Sequence, residues 1–292
     1  MQPIAELLRA DRWDFGVSEE GLSVPLQSKD LKWTLVISQC GPTRLSSVAL
    51  CPVQARRRPD MAGFLNRINV RLDLGCFELD YLHGDIRLRT CLELGQAEPS
   101  TELLRPLLLT PPRILDLALP ALIRVSEGGS TELPQFPLPE PTRRKSPAQE
   151  QLTAFLRAAG QSPTRREEKL ILHVVGERAR WRCEVAMHGS ICRFLSRAPV
   201  TIPPRSQTPV LEFLTRTNSS LSLGNFQLER SEIRYRAAFD AGPTGLLPES
   251  VLGPLLEVSL TALDHWLPGF LSVMYGKETP LAASKRLAGA AG

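Results

Sequence analysis

The sequence predicts an α+β protein made of two tandem units, each an antiparallel sheet packed with helices. One reason is an internal repeat: residues 64–94 align with residues 213–241 once His83 and Gly84 are omitted, and 12 of the 29 aligned positions are identical. Chance matching gives about two or three identities over that length. Trp33 and Trp181, which are 148 residues apart, extend the repeat upstream. The other reason is that strand-like stretches alternate with helical ones in the same order in both halves.

Composition is typical of a globular protein. The 292 residues are 42% hydrophobic and 23% charged, with a net charge of +4 that is too small to require a nucleic-acid or membrane partner. A unit of about 130 residues can bury a core without a disulfide or a metal. The cysteines do not recur at matched positions, which favours reduced thiols. The start of the chain does not resemble a signal peptide, and no stretch approaches 18 uncharged apolar residues, so we expect a cytoplasmic protein without a membrane span.

In the first unit, apolar spacing predicts a helix over residues 2–13. Strands are expected at about 21–27, 31–40 and 44–51, the last two joined by a turn at Gly41-Pro42-Thr43.

A second helix should begin at Asp60 as its N-cap and stop near Gly75. Next comes a hairpin of Phe77–Tyr81 with Ile86–Leu92. Helical segments at about 99–124 should be broken by Pro106, Pro111 and Pro112.

The second unit repeats this order, α-βββ-α-ββ-α. The corresponding elements are a helix at 147–159, strands near 168–175, 179–187 and 191–198, a helix at 207–222, a hairpin at 226–239 and helices from 248 to 275. The predicted organisation is a first unit at 1–125, a mobile Pro/Gly-rich linker at 126–147, a second unit at 148–276 and a disordered tail at 277–292.

The hairpin register can be compared between the copies. Tyr81 opposite Ile86 gives a four-residue loop, and Arg230 opposite Ile233 gives a two-residue loop. Omitting His83 and Gly84 therefore shortens the loop and leaves the strand pairing unchanged.

The best preserved polar feature is a pair of arginines on one strand face in each copy: Arg87 and Arg89, then Arg234 and Arg236. They are candidate partner-binding residues for an acidic peptide or a phosphate backbone. The alternative is structural, because the predicted register places carboxylates or amides opposite them and such pairs need no ligand.

Other candidates have simpler interpretations. Asn69 and Asn218 would satisfy backbone groups near a helix end. Cys183, His188 and Cys192 lack the tight spacing of a zinc site and have no counterpart in the first copy, so no metal and no cofactor is expected. Basic clusters at 56–58, 143–145 and 165–166 fit solvated loops. No nucleophile elbow, phosphate loop or HExxH motif occurs, so the chain is not expected to be an enzyme.

The block Phe64-Leu65, Asn69, Leu72–Gly75, Phe77–Leu79, Ile86–Arg89 and the helix around Asp116–Val125 resembles the YbjN family of bacterial sensory-transduction regulators. Residues 213–234 and Leu263-Asp264 of the second copy resemble it again. The resemblance implies a type III secretion chaperone-like fold and a non-enzymatic role in protein binding or regulation. Chaperones of that fold generally work as dimers. A doubled chain could therefore supply an intramolecular pseudo-dimer and be monomeric.

Three functions stay open at this stage. The leading one is an adaptor, regulator or chaperone-like module that binds another protein. The second is a nucleic-acid-associated regulator that uses the basic loops. The third is a small-molecule sensor with a site between the two units.

Overall fold

Two six-stranded antiparallel sheets, one in each of two units, form the framework of the chain. The computed structural model describes residues 2–19, 21–28, 31–39, 44–54, 57–94, 100–130, 132–136, 147–242, 244–245 and 247–289. The units are Met1–Pro137 and Leu138–Gly292. This architecture is α+β, as the sequence predicts. The turn at 41–43 lies outside the described residues, as do positions 131 and 137–146 of the predicted linker.

The described residues of the first unit form three α-helices: α1 (Gln2–Ala10), α2 (Arg58–Arg71) and α3 (Thr101–Ser126). Its strands are β1 (Gly16–Ser18), β2 (Gly21–Ser28), β3 (Leu31–Gln39), β4 (Arg44–Gln54), β5 (Cys76–Leu79) and β6 (Asp85–Glu93). The order across the sheet is β1-β2-β3-β4-β6-β5.

In the part of the second unit that the structure describes there are four α-helices: α4 (Pro147–Ala158), α5 (Gln207–Asn218), α6 (Glu249–Met274) and α7 (Pro280–Gly289). Its strands are β7 (Thr164–Arg166), β8 (Lys169–Val175), β9 (Arg180–His188), β10 (Ile191–Thr201), β11 (Asn225–Glu229) and β12 (Glu232–Asp240). Its sheet order, β7-β8-β9-β10-β12-β11, corresponds strand for strand to that of the first unit.

The short edge strands β1 and β7 were not predicted. Each has three residues and all of them are exposed. A fully exposed segment carries no alternation of apolar and polar residues, so the period of two that identifies half-buried strands is missing.

The boundaries of the second helix differ from the prediction. Helix α2 begins at Arg58, with Pro59 and Asp60 in its first turn, and the N-cap residue Arg57 makes no side-chain capping bond. Asp60 is therefore not the N-cap, because proline already fits the first turn of a helix. The helix ends at Arg71, and Gly75, with φ +71°, instead forms the entry to β5.

The prolines do not break the last helix of the first unit. Helix α3 runs unbroken through Pro106, Pro111, Pro112 and Pro120. Its apolar stripe packs against β4 and β6, and this burial outweighs the unfavourable helix propensity of proline. Among the described residues α3 is one helix that is long and apolar enough to cross a membrane by length and composition, a test that core helices of soluble proteins also pass.

The tail predicted to be disordered contains helix α7. Ala283 and Leu287 on this helix are buried, and α7 packs against α5 and α6. The sequence pattern did not show this because small residues such as alanine contribute little apolar periodicity.

An aromatic cluster joins the helices of the second unit to one face of its sheet. Phe270 of α6 lies 4.8 Å from Phe213 of α5 and 5.1 Å from Phe226 of β11, between ring centroids. The Ser196 hydroxyl of β10 donates to the carbonyl of Ser259 in α6 at 2.8 Å. We call this helix-covered side the inner face of the sheet and the opposite side the outer face.

The hairpin register differs from the prediction by two residues in both copies. Leu79 pairs with Ile86, and Leu228 pairs with Ile233. The loops have the predicted lengths of four and two residues, but each begins one residue earlier, at Tyr81 and Arg230. Because the shift is the same in both copies, their registers remain equivalent. A shift of two residues also leaves every side chain on the same face of the sheet.

A buried asparagine forms hydrogen bonds with the unpaired edge of each hairpin. The Asn69 amide donates to the carbonyl of Phe77 at 2.9 Å and accepts from its N–H at 2.7 Å. Asn218 does the same for Phe226, at 3.0 and 2.7 Å. The side chain thus pairs with the edge strand as a neighbouring strand would.

Replacing Asn218 by alanine should lower the free energy of unfolding by about 3 kcal/mol, because both backbone groups of Phe226 lose their partner. Urea denaturation of the full chain measures this. The neighbouring exposed Ser219→Ala serves as the control, with a loss below about 0.5 kcal/mol. Equal losses in the two variants would contradict the proposed pairing.

Gly224 supplies a second test, since it combines φ +69° with a close approach to β12. A Cβ atom there would overlap the Tyr235 hydroxyl and lie 2.7 Å from the Arg236 carbonyl oxygen. Gly276 has φ +68° and nothing within 4 Å. We expect Gly276→Ala to cost about 1 kcal/mol and Gly224→Ala at least about 2 kcal/mol more, by thermal unfolding. Similar losses would show that backbone conformation alone requires Gly224.

Candidate partner-binding surface

The four candidate arginines lie on β6 and β12, the strands next to the edge hairpins. Arg87 and Arg234 are half-buried, whereas Arg89 and Arg236 are only 8% and 4% exposed. The Nε atom of Arg87 is buried and has no acceptor in the described part of the chain. One arginine of each pair is therefore almost inaccessible to a partner, and the partner-binding role of the four residues stays a prediction.

The two buried arginines have different partners. Arg89 Nε lies 2.5 Å from Glu78 Oε1, and its Nη2 lies 3.4 Å from Cys76 Sγ. Burial acts to lower the pKa of Arg89, but the charges of Cys76 and Glu78 outweigh it and leave the pKa above its usual value. At the equivalent position, Arg236 donates to Asn225 Oδ1 at 3.1 Å. Glu78 contacts Arg89 diagonally, since its direct cross-strand neighbour is Arg87.

A network of ion pairs crosses the outer face of the second sheet. Glu184 accepts from Lys169 Nζ at 3.1 Å and from Arg197 Nε at 3.0 Å. Arg197 Nη1 and Arg234 Nε each lie 2.7 Å from Glu232, and Arg234 also pairs with Glu229. Cross-strand pairs of this kind contribute up to about 1 kcal/mol each and order the long side chains.

The pKa values of Glu184 and Arg234 in this network are shifted from their usual values. Partial burial acts to raise the pKa of Glu184, but the bonds from Lys169 and Arg197 outweigh it and hold the pKa below its usual value. Burial, and then the charge of Arg197, lower the pKa of Arg234. Glu184 therefore stays ionised at neutral pH and keeps Lys169 and Arg197 in place.

Two exposed arginines were not identified as candidates from the sequence. Arg180 and Arg182 of β9 flank the buried Trp181, so both lie on the outer face. Neither has an ion pair among the described residues. The Arg-Trp-Arg alternation, which places two charges opposite one buried ring, was the signal that could have identified them. Both are accessible positive charges of the outer face.

The three residues considered for zinc are not brought together. Cys183 and Cys192 are buried on the inner face, whereas His188 belongs to the outer face of β9. Burial raises the pKa of Cys183 to about 12 and also raises that of Cys192, which keeps both thiols protonated. Among the described residues, no group of three or more histidine, cysteine, aspartate or glutamate side chains is arranged to hold a metal ion.

The basic clusters are partly engaged in the fold. Arg58 donates to the carbonyl oxygens of Tyr81 at 2.5 Å and Leu82 at 3.2 Å, which holds the hairpin loop against α2. Arg165 contacts Gln149 and the Glu167 carbonyl, and Arg166 is exposed. Position 56 and the cluster at 143–145 lie outside the described residues.

Glu184→Gln should destabilise the chain by about 1 kcal/mol at pH 7. Because the folded pKa of Glu184 is depressed, its contribution is complete above the unfolded pKa of about 4.3 and is lost as pH falls through the folded value. The stability difference between wild type and variant should therefore shrink below about pH 4, as measured by urea denaturation across pH.

The control for this titration is Glu257→Gln, an exposed carboxylate on α6. Its stability difference should be small at every pH. A difference for Glu184→Gln that persists unchanged at pH 3 would contradict the electrostatic interpretation.

The fold of this chain has matches among solved structures. No family model matches the chain, and no curated protein matches it. The crystal structure of YbjN, described as a proposed transcription regulator from E. coli, is similar over 44% of this chain and 90% of its own length. The sequence identity is 12% and the TM-score is 0.32, so this likeness carries no argument about function.

Proposed function

We propose that the chain is a non-enzymatic protein-binding module, an adaptor, regulator or chaperone-like protein. The observation that carries the proposal is the outer face of the second sheet. The inner face of this sheet is covered by α5 and α6. The outer face carries ordered ion pairs and the exposed Arg180 and Arg182. An ordered surface with accessible arginines suits a protein partner, since arginine is favoured at interfaces.

The finer parts of the proposal come from the sequence. Each unit would be YbjN-like, with a type III secretion chaperone-like fold, and the two duplicated units would take the place of the two subunits of a dimer. The chain itself would then be a cytoplasmic monomer whose two related surfaces gain avidity for a repeated or dimeric target.

The test is affinity capture from the native lysate with the full-length tagged chain, after nuclease treatment and at moderate salt. We expect a stoichiometric protein partner that is retained by wild type and lost by the double variant Arg180→Glu, Arg182→Glu, because the arginines would face acidic groups of the partner.

The matched control reverses the same number of charges elsewhere, at the exposed Arg205 and Arg230. It should retain the partner. Recovery of nucleic acid only when nuclease is omitted, with no protein partner, would overturn the proposal in favour of the nucleic-acid alternative.

A further inference from the structure

One edge of the second sheet is left open along half of a strand. Strand β7 pairs only with Lys169–Ile171 of β8. The remaining residues of β8, 172–175, pair with β9 on one side, and no described strand pairs with their other side. We call residues 172–175 the open edge.

The hydrogen-bond alternation shows which groups face outward. The N–H of Gly176 donates to the carbonyl of Ala179 at 2.9 Å, which closes the β8–β9 hairpin. In an antiparallel ladder, bonded and non-bonded pairs alternate, so Val174 and Leu172 bond toward β9. His173 and Val175 therefore direct their N–H and C=O groups toward the open edge. These two donors and two acceptors can receive one additional strand.

Three other edge positions are blocked, two by asparagine side chains and one by a proline. Asn69 and Asn218 occupy the edges of β5 and β11. Strand β2 corresponds to β8 at an offset of 148 residues, and Pro25 stands where β8 has His173. Proline has no N–H and blocks strand addition, a common protection of edge strands. His173 retains the donor, so of these two equivalent positions only His173 can donate to an added strand.

The side chains around the open edge indicate the charge of the occupant. His173 and Val175 are exposed on the outer face, and Val175 retains 69% of its accessible surface. Their cross-strand neighbours on β9 are Arg182 and Arg180, respectively. Two accessible positive charges beside the edge favour carboxylates on the incoming strand. Pairing with a second copy would instead bring like charges together, which is unfavourable.

We propose that the open edge of β8 binds an extended acidic peptide of a partner protein by strand addition, an inference that rests on the protein-binding function proposed above. The peptide backbone pairs with His173 and Val175. Its outward-facing carboxylates lie on the same face as Arg180 and Arg182. In the first unit Lys32 and Thr34 stand at the positions of the two arginines, so that unit lacks both the donor and the arginine pair.

The experiment measures fluorescence anisotropy of a labelled peptide with the repeat Glu-Val-Glu-Val-Glu-Val-Glu, titrated with the full chain. The variant His173→Pro removes the outward N–H and should weaken binding at least about tenfold. His173→Ala removes the imidazole but keeps the N–H, so it should bind within about twofold of wild type. Arg180→Glu with Arg182→Glu should also weaken binding at least about tenfold.

Three outcomes would overturn the inference. They are binding by His173→Pro equal to wild type, equal binding of the corresponding Lys-Val peptide, and self-association of the chain through β8 that His173→Pro abolishes. Circular dichroism of His173→Pro verifies that the sheet is retained, and the double arginine variant provides an independent test if it is not.

The inference and the proposed function can fail separately. If affinity capture retains a protein equally with wild type and His173→Pro, the chain binds a protein but not through the open edge. If neither captures any protein, the proposed function itself is wrong.

Discussion

The pairing of a buried helix asparagine with an edge strand is the interaction on which each unit depends. The Asn218 amide satisfies the N–H and the C=O of Phe226, which would otherwise be unpaired at a sheet edge. This contact fixes α5 relative to β11 and holds Phe226 in place, so that its ring meets Phe270 of α6. A backbone constraint thereby positions the aromatic core. Asn69 provides the same constraint in the first unit, where Phe77 is the partner.

The treatment of the edges gives the two units different properties. An unpaired strand edge promotes association, and proteins usually block it. Asparagine blocks the hairpin edge in both units and Pro25 blocks the opposite edge of the first. Among these four positions, only His173 has a backbone N–H group that is directed outward and left unoccupied by the described residues. Duplicated units can diverge in this way because one substitution at an edge alters which strands can be added without altering the core.

Much of the fold could be predicted from the sequence because its signals are periodic. The long strands and the helix α2 follow from alternating and helical apolar spacing, and the repeat supports each assignment twice. The hairpin register could not be fixed, because shifting by two residues leaves every side chain on the same face. The continuity of α3 through four prolines depends on tertiary burial, which local propensity does not contain. Arg180 and Arg182 were not predicted because the candidate residues were those shared by both copies, and this arginine pair occurs in the second copy alone.

Hydrogen exchange of backbone amides, measured residue by residue in the full chain, tests this account most directly. We predict slow exchange for the N–H groups of Phe77 and Phe226, although both lie on edge strands, because an asparagine side chain occupies each of them. The N–H groups of His173 and Val175 should exchange fast, while that of Val174, bonded to β9, should be protected. Fast exchange at Phe226 together with protection at His173 would contradict both the closed hairpin edge and the open edge of β8.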